Sequence, residues 1–127
     1  MRRAVRAPGD HALTSMLDAL DLVNQLDEVE VREHDRFLEC RVAGRTFGYV
    51  WPRTSTVGLK QTLVEQLDLV AERPEVFEVQ FTAGGFGWVV VHLEGVDRTE
   101  LAELVFEAWR LAAPEQLVSD RADRLPL

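Results

Sequence analysis

Between Cys40 and Lys60 the chain carries Arg41, Arg45, Arg53 and Lys60 without a single Asp or Glu. Guanidinium and ammonium groups in a carboxylate-free window are the residue types that hold phosphate oxygens. At about 3.3 Å per residue along a strand, Arg45 and Arg53 stand about 20 Å apart, at opposite ends of the segment 46–51. Arg41 and Lys60 project outward from the strands flanking Thr46. Arg41, Arg45 and Lys60 are therefore expected as one small cluster, with Arg53 remote. Three charges hold two or three phosphates, so any contact with DNA is expected to be weak and salt-dependent. The competing expectation is a solvated sheet face.

A second constellation is apolar. Strict alternation sends Phe37, Val50, Trp88 and Val90 to the outer face of a sheet, where a contiguous apolar set suits a second copy or another protein. Tyr49 and Trp51, with Trp88, are candidates for an aromatic-lined pocket for a small ligand. The signals for catalysis are weaker. His11, His34 and His92 have no metal-ligand spacing. Cys40 reads as a buried small hydrophobe rather than a nucleophile. Gly84-Gly85-Phe86-Gly87 lacks the following helix that would let it cradle phosphate and reads as a hairpin loop. Asp27, Glu28, Glu30, Glu33 and Asp35 read as a solvated turn rather than a cation site. No catalytic residue, metal site or cofactor is expected.

The elements that must position these groups follow from periodicity. Leu13, Met16, Leu17, Leu20, Val23 and Leu26 recur at helical spacing over 11–26, with Asp10 as N-cap. Charged residues fill 27–36, with a short edge strand at Val29–Val31. Period two then takes over in 37–43, 46–51 and 56–60, with Leu38, Cys40, Val42, Phe47, Tyr49, Trp51, Val57 and Leu59 facing inward and a turn at Gly44-Arg45. Thr62-Leu63-Val64-Glu65 is a capping box opening a helix that buries Leu63, Leu67, Val70 and Ala71 and stops before Pro74. Strands at 76–81 and 86–93 point Phe77, Val79, Phe81, Val89, Val91 and Leu93 inward. A helix over about 98–112 buries Leu101, Leu104, Val105, Ala108 and Leu111, and Pro114 opens a short last one. The order implies an α+β fold, an antiparallel sheet of about five strands with helices packed on one face.

At 127 residues the chain suits one domain. Its core is expected over 11–119, between a flexible basic tail (1–10) and a frayed end (120–127). The single cysteine excludes an internal disulfide and fits a reducing, cytoplasmic setting. No apolar run is long enough to span a membrane. A net charge of −8 repels phosphate backbones on average, so DNA binding needs a local exception.

Several segments together resemble the MmcQ/YjbR family. They are the hairpin Arg41–Val50, Leu59-Lys60, Arg73–Phe77, Gly87–Leu93, Val96–Leu101 and Glu107–Pro114, in order over roughly 12–119. The resemblance implies a frataxin-like, or CyaY-like, sandwich, similar in shape to a phage double-wing DNA-binding domain. On that ground family members are labelled DNA-binding. It supplies no catalytic motif to carry over. The reading is a non-enzymatic binding domain with a weak DNA role through the outer sheet face, the alternative being a homodimeric or protein-interaction module.

Overall fold

The computed structural model describes residues 14–121; His11, Asp10 and the rest of the two termini lie outside them. Six antiparallel strands form one sheet: β1 (Val29–Glu33), β2 (Leu38–Val42), β3 (Arg45–Trp51), β4 (Thr56–Thr62), β5 (Phe77–Ala83) and β6 (Phe86–His92). Their spatial order is β1-β2-β3-β4-β6-β5. The short edge strand expected at Val29–Val31 is a full strand, β1, which pairs with β2 along its whole length and brings the sheet to six strands rather than about five. Among the described residues there are four α-helices, α1 (Met16–Asn24), α2 (Leu63–Glu72), α3 (Arg98–Ala112) and α4 (Glu115–Arg121), and a single 3-10 turn at Leu93–Gly95.

Local chemistry sets the helix ends. The Ser15 hydroxyl accepts from the Asp18 amide and the Asp18 carboxylate accepts from the Ser15 amide, a capping box that starts α1 later than the apolar period suggests. The Asp97 carboxylate caps α3 through the Glu100 amide at 2.9 Å, while the Glu100 side chain pairs with Arg73 instead of closing the box. The last helix runs to Arg121, which is buried and donates to Asp27 and to the Gln25 carbonyl. Folded structure thus passes the boundary expected at 119.

The core lies between the sheet and the helices. Leu22 and Val23 of α1 meet Leu101, Leu104, Val105, Ala108 and Trp109 of α3 over Cys40, Val42, Phe47, Leu59, Val89 and Val91. Trp109 is fully buried and its indole N–H donates to the Asp27 carbonyl at 3.1 Å, so the aromatic body stays dry without losing its polar partner.

Two β-bulges break the alternation. In the β2–β3 ladder Cys40 faces Gly48 and Arg41 faces Thr46, leaving Phe47 without a partner. Phe47 and Gly48 both fall on the helix side: Phe47 is fully buried, and a Cβ on Gly48 would point at Leu59 and Cys40. Every later residue of β3 is therefore inverted relative to simple alternation. Val50 turns into the core at 2% exposure, and Tyr49 and Trp51 turn out. The expected placements of Val50 outside and of Tyr49 and Trp51 inside are corrected together. In β5, Val79 faces Val89 and Phe81 faces Trp88, so Gln80 is the extra residue and Phe81 joins the outer face instead of the core. An inserted residue shifts a period-two pattern by one, which is the physical reason for both corrections.

The β2–β3 turn is Ala43-Gly44, not Gly44-Arg45. Both residues have positive φ (50° and 77°), as a two-residue type I′ hairpin requires, and Arg45 pairs with Val42. Helix α2 is also turned from its expected face. It buries Gln66 and Leu69, while Leu63, Leu67 and Ala71 are exposed. The Gln66 amide donates to the carbonyls of Phe81 (3.1 Å) and Trp88 (2.9 Å), and Gly87 beneath it has no Cβ to hold the helix away. A buried polar side chain with two partners fixes the rotation at the expense of the apolar stripe.

Candidate functional site on the outer sheet face

No described helix packs over the outer face, because α4 is held against Asp27, Gln25 and Trp109 instead. The face is floored at Gly58, which stands opposite Tyr49 in β3 and Val90 in β6. A Cβ there would come within 2.8 Å of the Trp51 ring and would collide with the Gln80 amide. Glycine lets both side chains lie flat on the sheet.

Around that floor the aromatic rings touch in sequence. His34 stacks on Phe37 at 4.5 Å, and Phe37 meets the edge of Tyr49 at 5.9 Å. Tyr49 stacks on Trp51 at 5.9 Å and leans on Trp88 at 5.5 Å, which contacts Phe81 at 5.2 Å. Trp88 is the keel of this cluster at 6% exposure, and Phe81 is exposed at 39%. Such ring pairs stabilise by about 0.5–1.5 kcal/mol each beyond their buried area. Of the residues expected on the interaction face, Phe37, Trp88 and Val90 are here and Val50 is not. Tyr49, Trp51 and Trp88, expected around a pocket, form a surface cluster. Two clefts adjoin the cluster's margins, one of about 170 Å³ beside His34, Phe37 and Arg53 and one of about 390 Å³ beside Ser55, Glu75 and His92, and neither is lined by Tyr49, Trp51 or Trp88.

Arg41 and Lys60 project from this face near the β2–β3 turn, whereas Arg45, opposite the fully buried Val42, starts from the helix side, and the three are not equally available. Arg41 reaches back to the Gly44 carbonyl at 2.6 Å. Lys60, across from Trp88, lies 4.2 Å above the Phe86 ring centroid. Its pKa is lowered, chiefly by burial and further by the charge of Arg45, which puts those two side chains in one field. Arg45 is exposed. Arg41 faces Glu30 across the β1–β2 ladder, and Glu39 projects beside it. The carboxylate-free window of the sequence is therefore not carboxylate-free in space.

Glu39 is a site residue that sequence reasoning missed. Its carboxylate accepts from the Thr46 hydroxyl and bonds the His34 ring at 3.0 Å, and these bonds, Thr46 first, hold its pKa below the ordinary value despite some burial. A depressed folded pKa means that the stability Glu39 adds is complete above its unfolded value and is lost as pH falls through the lower folded one. Urea unfolding of Glu39→Gln should accordingly show a shallower loss of stability than the parent between roughly pH 5 and pH 3. Identical pH profiles would refute that role.

Burial pushes the Cys40 thiol up to about 12. Iodoacetamide at pH 8 should leave it unmodified in the folded domain and alkylate it in urea. Among the described residues no three His, Cys, Asp or Glu side chains come together as a metal ion needs. Asp27, one of the acidic turn residues, is committed to Arg121. His92 pairs with Glu78 at the β5–β6 margin.

A family model described as YjbR matches residues 24–111. No curated protein matches the chain. Among solved structures, the fold is similar to the crystal structure of Deinococcus radiodurans protein DR2400, described by the family domain DUF419. The TM-score is 0.71 at 16% identity, covering 87% of this chain and 89% of that one. No helix among the described residues is long and apolar enough to cross a membrane.

Proposed function

Because this chain belongs to the YjbR family, we propose that it is a non-enzymatic binding domain whose working surface is the outer sheet face, where an apolar segment of a protein partner docks. The observation that carries this reading is the pair of bulges. Each spends a ladder hydrogen bond to turn aromatic side chains, Tyr49 and Trp51 in one case and Phe81 in the other, out of the core onto an uncovered surface. Bulges that re-aim side chains are features of working surfaces. A partner covering Phe81, Tyr49, Trp51 and Val90 would bury an aromatic centre ringed by polar groups, Glu39, Lys60, Glu78 and His92, which is the anatomy of a protein interface. A binding rather than catalytic role is supported by the protonated, buried Cys40 and by His34 and His92 each being engaged by a carboxylate.

A photo-crosslinking residue placed at Phe81 in cells that naturally make the protein tests it, with one at Leu17, a 78% exposed apolar position on α1, as control. A discrete protein adduct at 81, absent at 17 and abolished by Trp51→Ala, supports the reading. Equal adducts at both positions, or none, would reject it.

Arg41 and Lys60, projecting from the same end of the outer face, favour a second reading, weak nucleic-acid contact there. It predicts duplex binding that falls with salt and is lost when Arg41, Arg45 and Lys60 become alanine. Binding that survives the triple substitution would exclude those residues.

A further inference from the structure

We propose that a second copy of this chain pairs with β1, edge to edge and antiparallel, joining the two sheets about a two-fold axis at Val31. β1 ends the sheet, and among the described residues its outer side meets no further strand. Glu30, Val31, Arg32 and Glu33 are all exposed there. The direction of the backbone groups follows from the hairpin. The His34 N–H donates to the Phe37 carbonyl at 2.9 Å across the β1–β2 turn, and bonded pairs alternate along an antiparallel ladder. Arg32 and Glu30 therefore bond to β2, while Val29, Val31 and Glu33 aim their N–H and C=O groups away from the sheet. The next hairpin agrees, since Val42, opposite Val29, flanks the type I′ turn and gives its backbone groups to Arg45 in β3.

An edge that offers backbone groups in this phase admits few pairings with itself, and the charges choose among them. With the axis at Val31, Val31 exchanges bonds with Val31 of the second copy, and Val29 does so with Glu33 of that copy. Glu30 then stands opposite Arg32 of the second copy in a non-hydrogen-bonded pair, where side chains come closest. Within each copy Arg41 lies opposite Glu30 and Glu39 opposite Arg32. The joined outer face thus carries rows that alternate in sign, Arg41 and Glu30 of one copy followed by Arg32 and Glu39 of the other. Moving the axis by one residue sets Glu30 against Glu30 or Arg32 against Arg32. On the helix side, where its partner Cys40 is buried, the 37% exposed Val31 meets its equivalent. Charged edges ordinarily discourage association, but here the order of the signs is self-complementary. Growth stops at two copies, because the bulge at Gln80 interrupts the other edge, β5. A strand of five residues is a small contact, so the dimer is weak, with a dissociation constant on the order of 100 μM.

Sedimentation equilibrium of the full chain from roughly micromolar to millimolar concentration tests this. The parent should pass from monomer to dimer mass. Glu30→Arg and Arg32→Glu each set like charges face to face and should raise the dissociation constant at least about tenfold. Both positions are exposed, so circular dichroism should report folded protein. An equimolar mixture of the two variants restores opposite charges in both pairs and should dimerise again. Amide exchange gives a second readout: Val31 and Glu33 should gain protection as concentration rises, whereas Glu30 and Arg32 are protected throughout. Phe81→Ser should leave the dimer intact, so this edge and the aromatic face fail separately. A parent monomeric throughout, a mixture no more dimeric than either variant alone, or a dimer lost in Phe81→Ser would overturn the proposal.

Discussion

Val50→Asp is expected to unfold the domain, while Val90→Asp leaves it folded. Simple alternation puts both valines on the outer face, but the bulge at Phe47 sends Val50 into the core at 2% exposure and leaves Val90 half-buried outside. At position 50 the substitution removes about 1.5–3 kcal/mol of valine burial. It also places a carboxylate among Cys40, Val57 and Leu59, a cost of several kcal/mol without a partner. The sum of about 5 kcal/mol or more rivals the whole stability of a domain this size. At position 90 the added carboxylate keeps its water, stands near Glu78 and costs about 1 kcal/mol. Urea denaturation of the two variants side by side reads the difference.

The second large effect is expected at Gly87. A Cβ there would lie 2.6 Å from the Gln66 Cβ and 2.7 Å from its Cδ, so Gly87→Val cannot be absorbed by moving the end of a flexible side chain. Either α2 lifts or β6 sinks. Overpacking costs about 1–3 kcal/mol, and lifting α2 also breaks the two bonds from Gln66 to the Phe81 and Trp88 carbonyls, worth about 1 kcal/mol each. A loss of about 4 kcal/mol in urea-derived stability is expected. A loss under about 1 kcal/mol would mean that Gln66 does not hold the helix.

Legibility in the sequence followed the range of the forces involved. Helix α3 was readable nearly to the residue, since Asp97, the apolar period of Leu101, Leu104, Val105 and Ala108, and Pro114 are local signals. The strands were readable for the same reason, β1 only over Val29–Val31, because its charged side chains hide the rest of a ladder made of backbone bonds. The bulges were not readable. Whether Phe47 or Tyr49 faces the core depends on one unpaired residue, and Phe-Gly-Tyr-Val-Trp is compatible with either phase until Leu59 and Cys40 are seen beneath Gly48.

The candidate site inherited that ambiguity. Trp88 and Val90 were placed correctly on the outer face because β6 alternates throughout, while Val50, Tyr49 and Trp51 were inverted together. Phe81 was assigned to the core, and Gly58 escaped notice. The only sequence signal for Gly58, a glycine within a strand, gains meaning once Trp51 and Gln80 are known to cover it. The cation cluster failed differently. Arg41, Arg45 and Lys60 do share one end of the sheet, but a carboxylate-free stretch of sequence says nothing about Glu30 and Glu39 arriving from neighbouring strands.

The most direct test of the outward-turned aromatic face is line broadening of assigned aromatic and methyl NMR signals by a soluble nitroxide. Tyr49, Trp51 and Phe81 should broaden, while Phe47, Phe77, Trp109 and the Val50 methyls stay sharp. Sharp signals for Tyr49 and Trp51 with broadened Val50 methyls would contradict the bulged register and the binding surface built on it.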